Sequence, residues 1–230
     1  MTHLSVIIPL GPQETAHKTL IFDLDLLPAG TEIIFVGTKG AEPPELAGIG
    51  QKVLQKKLPS LKVCYLTSLV GRGKTLNKGA MASTGTFLWF LHADSRLNPS
   101  TISLLFNAIE KCPEALLYFN LKWINDGPKQ MKINEICANL RSFFLKIPFG
   151  DQGFCIRKDL FFKAGQFDEQ VHYGEDHLFV WKIKHHQIPI RSTGASLRTS
   201  ARKYNNKNWL KRVLFYQKVW ISQAVRELFK

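Results

Sequence analysis

GRGKTLNKGAMASTGTFLWFLHAD, Gly71 to Asp94, is the stretch on which the fold turns. Gly71 to Gly73 read as a loop, residues 74–84 as a helix rich in small residues, and Thr86 to Leu91 as a wholly apolar strand. The strand runs directly into His92-Ala93-Asp94. Gly73-Lys74-Thr75 matches the end of a phosphate-binding P-loop, GxxxxGK[ST], and Asp94 imitates the acid that such enzymes place after a later strand. The first glycine of that motif would fall at Ser68, where the backbone must turn tightly around phosphate, so the motif is incomplete. A P-loop phosphotransferase is one reading. The other is a nucleotide-binding fold that uses the same loop and helix differently.

The neighbouring segments bear on the choice. Leu4 to Pro9 (LSVIIP) and Glu32 to Val36 (EIIFV) are short, β-branched apolar runs, and Leu61 to Leu66 is a third. Residues 13–27 carry Leu20, Leu24 and Leu27 on one helical face, and a further helix is expected near residues 45–57. Strands alternating with helices at this spacing predict a parallel sheet with helices on both faces. In such a sheet ligands bind beyond the carboxyl ends of the strands. That rim would hold Leu10 to Gly11, Gly37 to Lys39, Thr67 to Lys74 and His92 to Ser95.

The second half reads differently. Pro99 opens a helix over residues 99–111, proline being well suited to a first helical position. Ala115 to Trp123 follows as a strand and residues 130–146 as an amphipathic helix. Then come the irregular IPFGDQGF, a strand over Phe154 to Arg157, a helix from Glu175 to about His186, and one long basic helix over the last 23 residues. No repeat, low-complexity tract or linker interrupts the 230 residues, so one domain is expected.

Composition sets bounds. Hydrophobic residues make up 45% of the chain, enough for a sizeable core. No apolar run approaches the roughly 20 residues that span a bilayer. The N-terminus lacks the basic start and small-residue cleavage site of a signal peptide, which makes the cytoplasm the expected location. The four cysteines show no metal-ligand or redox spacing. The net charge of +13 favours anionic partners. No nucleic-acid recognition motif accompanies that charge, so phosphorylated small molecules or an anionic membrane are the better candidates.

SVIIP, GRGKTLNKGAMASTGTFLWFLHADSRL, GDQGFCIRKDLFFKAGQFDE and YGEDHLFVWKIK, in this order, resemble family 2 glycosyltransferases. LHAD, GDQG and the late TSARKY resemble one bacterial branch, the radical-SAM/selenodomain-associated transferases. The resemblance runs over about residues 4–204. It implies an α/β fold of GT-A type, with a nucleotide-binding half (1–98), an acceptor half (99–204) and a C-terminal helix (205–230). It also implies a nucleoside-diphosphate sugar as donor and a divalent cation, Mn2+ or Mg2+, as cofactor.

Site residues follow from the resemblance. Pro9, Arg72, Lys74, Asn77 and Arg202 would attend the nucleotide sugar. Arg72 and Lys74 could equally be solvated, Asn77 an ordinary helix residue, and Arg202 part of a basic turn. Asp94 matches the second acid of a DxD metal motif whose first acid is replaced by His92, which could ligate metal or hydrogen-bond the nucleotide. Asp176 matches the general base, with Glu175 beside it; two acids also suit a helix N-terminus electrostatically. Gly150, Asp151, Gln152 and Gly153 would meet the acceptor, or simply form a turn. One departure stands out: the acid expected after the second strand is missing, because EIIFV runs into Gly37-Thr38-Lys39. A non-catalytic nucleotide or glycan binder on the same fold is therefore the alternative. The C-terminal helix carries an apolar stripe with Lys211, Arg212, Lys218 and Arg226 mostly off it. It would either pack on the domain or lie on an anionic membrane, which would suit a lipid-linked acceptor.

Overall fold

The computed structural model describes residues 3–12, 14–38, 46, 49–205 and 209–229. In the first half, β1 (Leu4–Pro9), α1 (His17–Leu24), β2 (Glu32–Thr38), α2 (Ile49–Lys57), β3 (Lys62–Ser68), α3 (Arg72–Ala82) and β4 (Phe87–Phe90) alternate as expected. Lys39 and the start of the helix expected near residue 45 lie outside the described residues. The second half contains β5 (Ser95–Arg96), α4 (Pro99–Lys111), β6 (Leu116–Trp123), α5 (Met131–Leu140), β7 (Phe154–Arg157), α6 (Lys158–Lys163), α7 (Glu175–His185), β8 (Ile190–Thr199) and α8 (Trp209–Leu228).

All eight strands join one sheet in the order β3-β2-β1-β4-β7-β6-β8-β5. The β1, β2, β3 and β4 pairings are parallel. Beyond β4 the sheet is mixed: β7 runs antiparallel to both β4 and β6, β6 and β8 are parallel, and β5 is an antiparallel edge. The chain steps outward from β1 to β3 and then returns to place β4 on the other side of β1. Ligand crevices form at such a reversal.

Alternate side chains feed two cores. On one face Val6, Ile8, Phe35 and Trp89 pack under α1, α2 and α4, through residues such as Leu20, Leu54 and Leu105. On the other, Ile7, Ile34, Val36 and Phe90 pack under α3, α6 and α7, through Leu76, Phe161 and Phe179. Gly79 lets α3 lie directly on β1, since a Cβ there would stand 3.1 Å from Val36 and closer still to Ile7.

Several local features depart from the expected pattern, the short β5 and α6 among them. Helix α3 begins at Arg72, because Gly71 takes the turn at φ 136°. The amphipathic helix stops at Leu140 and continues as a π-helical turn, Arg141–Leu145, closed by left-handed Lys146. Strand β8 was not expected at all: its outward positions are polar or glycine, and Thr193, Ala195 and Thr199 dilute the apolar signal of the inward Ile190 and Leu197.

Candidate active site

The carboxyl ends of β1 and β4 bring Pro9 and His92 together, and the N-terminus of α3 adds Arg72. Across from them stands the N-terminus of α7. Gly174 caps it in the left-handed conformation (φ 78°), with the Gln223 side chain packed where a Cβ would point. Glu175 and Asp176 open the helix. A cavity of about 310 Å3 separates these two walls, and Arg72, His92, Asp151, Glu175 and Asp176 all line it. A narrow cleft beside it is lined by Pro9, Arg72, His92, Gly150 and Asp176.

Charged groups connect the walls. Glu175 pairs with Arg72 at 2.6 Å, and Arg72 donates in turn to Nε2 of His92. Arginine only donates, so His92 accepts through Nε2 and is the neutral imidazole. Burial holds its pKa well below the ordinary value, and the Arg72 and Lys203 charges press it further down. Its Nδ1 lies 3.9 Å from Asp94. Burial raises the Asp94 carboxyl, partly opposed by Lys203. Burial likewise raises Glu175, helped by the adjacent Asp176 and opposed by Arg72. Asp151 is raised by burial against the pull of Lys203 and Arg141.

Asp176 is held at both oxygens. One accepts from the backbone N–H of Gly150 at 2.6 Å, the other from His177 N–H at 2.8 Å. Gly150 thus acts through its backbone. Each carboxylate oxygen keeps a lone pair for another donor.

Other positions fall elsewhere. Asn77, expected among the nucleotide contacts, is buried away from the cavity: its amide donates to the Phe167 carbonyl at 3.0 Å and to Glu169 at 2.9 Å, and its oxygen accepts from Phe167 N–H. Gln152, expected near the acceptor, is likewise occupied by protein partners. Fully buried, it donates to the Phe119 carbonyl at 3.0 Å and accepts from the Ser142 hydroxyl at 2.7 Å and from Phe149 N–H. Gly153 sits at φ 60° with Leu197 against it and turns the chain into β7. Lys74 lines a separate cavity with Thr67 and Ser68. Thr75, which would hold magnesium in a P-loop, is buried and donates its hydroxyl to the Gly71 carbonyl at 2.9 Å. That geometry does not suit a P-loop. Arg202 pairs with Glu14 at 2.5 Å, outside the cavity. Its neighbour Lys203 lines the cavity instead.

Arg141, at the start of the π-helical turn, was not singled out from sequence. It lines the cavity, its guanidinium lies 3.5 Å from the Phe149 ring centroid, and Asp151 and Asp176 both raise its pKa against burial. An arginine in an amphipathic helix gives no sequence signal of this role. At the end of β2, Tyr65 is packed against Gly37 so closely that any Cβ there would collide with its hydroxyl.

No curated protein sequence matches the chain. The family model described as "Glycosyl transferase family 2" matches residues 31–167, more than half of its length. The chain belongs to glycosyl transferase family 2. Solved structures of glycosyltransferases share its fold. S. aureus TarS superposes with a TM-score of 0.64 at 20% identity over 88% of this chain. A TarS fragment in complex with UDP-GlcNAc gives 0.64 at 19% identity over 87%. The mannosyltransferase PcManGT from Pyrobaculum calidifontis, in complex with GDP-Man and Mn2+, gives 0.74 at 14% identity over 98%. This chain spans 38% of the TarS chain, 59% of the TarS fragment and 64% of the mannosyltransferase. The family membership and the mixed sheet flanked by helices agree with the GT-A expectation.

Proposed function

We infer that this chain is a metal-dependent, inverting glycosyltransferase that moves a sugar from a nucleoside-diphosphate sugar to an acceptor hydroxyl. The observation that carries the reading is the shared cavity: Arg72 and His92 from the donor-strand ends face Glu175 and Asp176 from α7. The complexes of the structural relatives with UDP-GlcNAc and GDP-Man support the donor class.

Asp176 accepts the proton of the acceptor hydroxyl as its oxygen attacks the anomeric carbon. The bond to the diphosphate breaks, and the diphosphate leaves with the electron pair. A single displacement inverts the configuration. Gly150 N–H and His177 N–H keep the carboxylate aimed. Arg72 and Lys203, which line the cavity, neutralise the anionic leaving group.

Among the described residues no group of three or more His, Cys, Asp or Glu side chains converges. Asp94 nevertheless fits a hard cation of the kind that takes one or two protein carboxylates and completes its shell with phosphate oxygens and water. Its partly buried carboxyl is raised in pKa by desolvation, which Lys203, Arg202 and Arg72 only partly oppose. Asp94 would hold Mn2+ or Mg2+. His92 would join it only after releasing Arg72. The cation supplies neutralisation of the charge that builds on the diphosphate.

The covered position at Gly37 favours one alternative, a non-catalytic binder of nucleotide sugars. Incubating the purified chain with UDP- and GDP-sugars, with and without manganese, separates the two. Release of nucleoside diphosphate from one donor is expected. Donor binding without release from any of them would establish the binder. We place the chain in the cytoplasm, with a lipid-linked acceptor presented where α8 meets an anionic membrane.

A further inference from the structure

The strongest unexplained feature is a pair of apolar ledges beside the cavity mouth. The π-helical turn exposes three consecutive large side chains, Phe143 at 61%, Phe144 at 69% and Leu145 at 52%. One turn back, α5 exposes Ile133, Ile136 and Leu140. Helix α8 exposes Leu214, Ile221 and Leu228, even though Gln223 and Ala224 on its other side are buried. The two ledges are adjacent, because the Arg141 guanidinium lies 6.0 Å from the Trp220 ring centroid. Both elements line the one cavity, Asn134 and Ala138 from α5, Val213 and Trp220 from α8.

The charges around these ledges have one sign. Lys129 just ahead of α5 and Lys211, Lys218 and Arg226 on α8 are exposed, and Lys132 on α5 is exposed but paired with Glu135. The acids there are turned inward. Glu135 is 8% exposed and accepts from Trp123 N–H, and the Glu227 side chain is 10% exposed near His185. Lys146 reaches over the Phe143 ring, 5.0 Å from its centroid, and Lys184 donates to the Leu145 carbonyl at 2.8 Å. Contiguous apolar surface rimmed by cations whose stems lie along it fits the boundary between headgroups and acyl chains. Among the described residues no helix is long and apolar enough to cross a membrane, so the contact would be peripheral.

We propose that the π-helical turn Phe143-Phe144-Leu145, together with α5 and the outer face of α8, seats the protein on an anionic phospholipid bilayer with the cavity mouth at its surface. This extends the membrane contact of α8 to a second element on the other side of the cavity. It rests on the lipid-facing part of the proposed function and not on catalysis.

The test is co-sedimentation with vesicles of phosphatidylcholine alone and of phosphatidylcholine with one quarter phosphatidylglycerol, at low and high salt. The full chain is expected to bind the anionic vesicles, and to bind them less at high salt. Phe143→Ser with Phe144→Ser is expected to weaken binding at least 10-fold while leaving thermal unfolding and donor binding unchanged, both side chains being exposed. Lys146→Gln with Lys129→Gln should flatten the salt dependence. Absence of binding to either vesicle would overturn the proposal. So would binding that only Leu214→Ser with Ile221→Ser reduces, which would leave α8 as the sole contact. A dimer in sedimentation equilibrium that the two Phe→Ser changes dissolve would instead assign the ledges to a second copy of the chain. Failure of donor turnover in the assay above leaves all these outcomes readable.

Discussion

The two walls of the cavity are built by different means. On the donor side, Pro9 and His92 stand at the ends of parallel strands and Arg72 at the start of a helix, so the regular sheet fixes their positions. On the facing side, Asp176 and Arg141 sit on a left-handed helix cap and a π-helical turn beside the short 3-10 turn at Gly150. Buried amides brace that irregular backbone. Gln152 ties the Gly150 turn to Phe119 and Ser142, and Gln223 ties α8 to Tyr173 and His177. One wall inherits its geometry from the sheet. The other depends on side-chain hydrogen bonds that water would otherwise satisfy.

The largest test of this contrast lies at Asp176. Asp176→Asn retains an oxygen for the Gly150 N–H but cannot take a proton, so transfer should fall by about 10²–10⁴-fold while donor affinity is kept. Calorimetric titration of the donor alongside turnover reads both quantities, and full turnover would remove the assignment.

Next in size is Gln152→Leu. It strands the Phe119 carbonyl and the Phe149 N–H, at a cost of about 3 kcal/mol in urea unfolding. Surviving folded protein should lose activity, because Gly150 then loses its brace. Asn77→Ala should cost about 2 kcal/mol. Its folded fraction should bind donor like the parent, since Asn77 ties α3 to Phe167 and Glu169 and does not face the cavity. A specific loss of donor affinity at constant stability would restore Asn77 to the site.

The smallest effect is one of pH. Trp181 donates its indole N–H to Nε2 of His177 at 3.0 Å, so the proton of the neutral ring sits on Nδ1 and faces the Gln223 oxygen, also at 3.0 Å. Burial lowers the His177 pKa in the folded state, opposed by Gln223, Asp176 and Glu227 and assisted by Arg141. The unfolded chain therefore binds this proton first as pH falls. The histidine's contribution is fully present above the ordinary value near 6.5 and is lost as pH drops through the lowered folded value. A protonated ring would also turn an N–H toward the indole N–H. Hydrogen exchange at the α8 amides should accelerate between neutral and mildly acidic pH, and His177→Gln should reduce that slope. An α8 protected equally at both pH values would count against this role for His177.

The same contrast explains what could be read from the chain. β1, β2 and β4 are buried on both faces, so they announce themselves as continuous apolar runs, and their bounds and those of the edge strand β3 came out within two residues. β8 hid because its apolar inward residues, Ile190 and Leu197, are separated by threonine and alanine and its outward positions are polar or glycine. Asn77 and Gln152 lay within family-like strings and looked functional, whereas their partners are backbone groups far away in sequence that no local pattern predicts. Arg141 stayed unremarked, and Lys203 was passed over for its neighbour Arg202, for the converse reason. A single cation on a helix or turn looks solvated until tertiary structure places acids around it.

The contact between Tyr65 and Gly37 limits how this site can change. A side chain at position 37 would meet the phenol, so the tyrosine must swing aside or give way to a smaller residue. The two positions are thus coupled, and a substitution at either has to be read together with its neighbour across the strands.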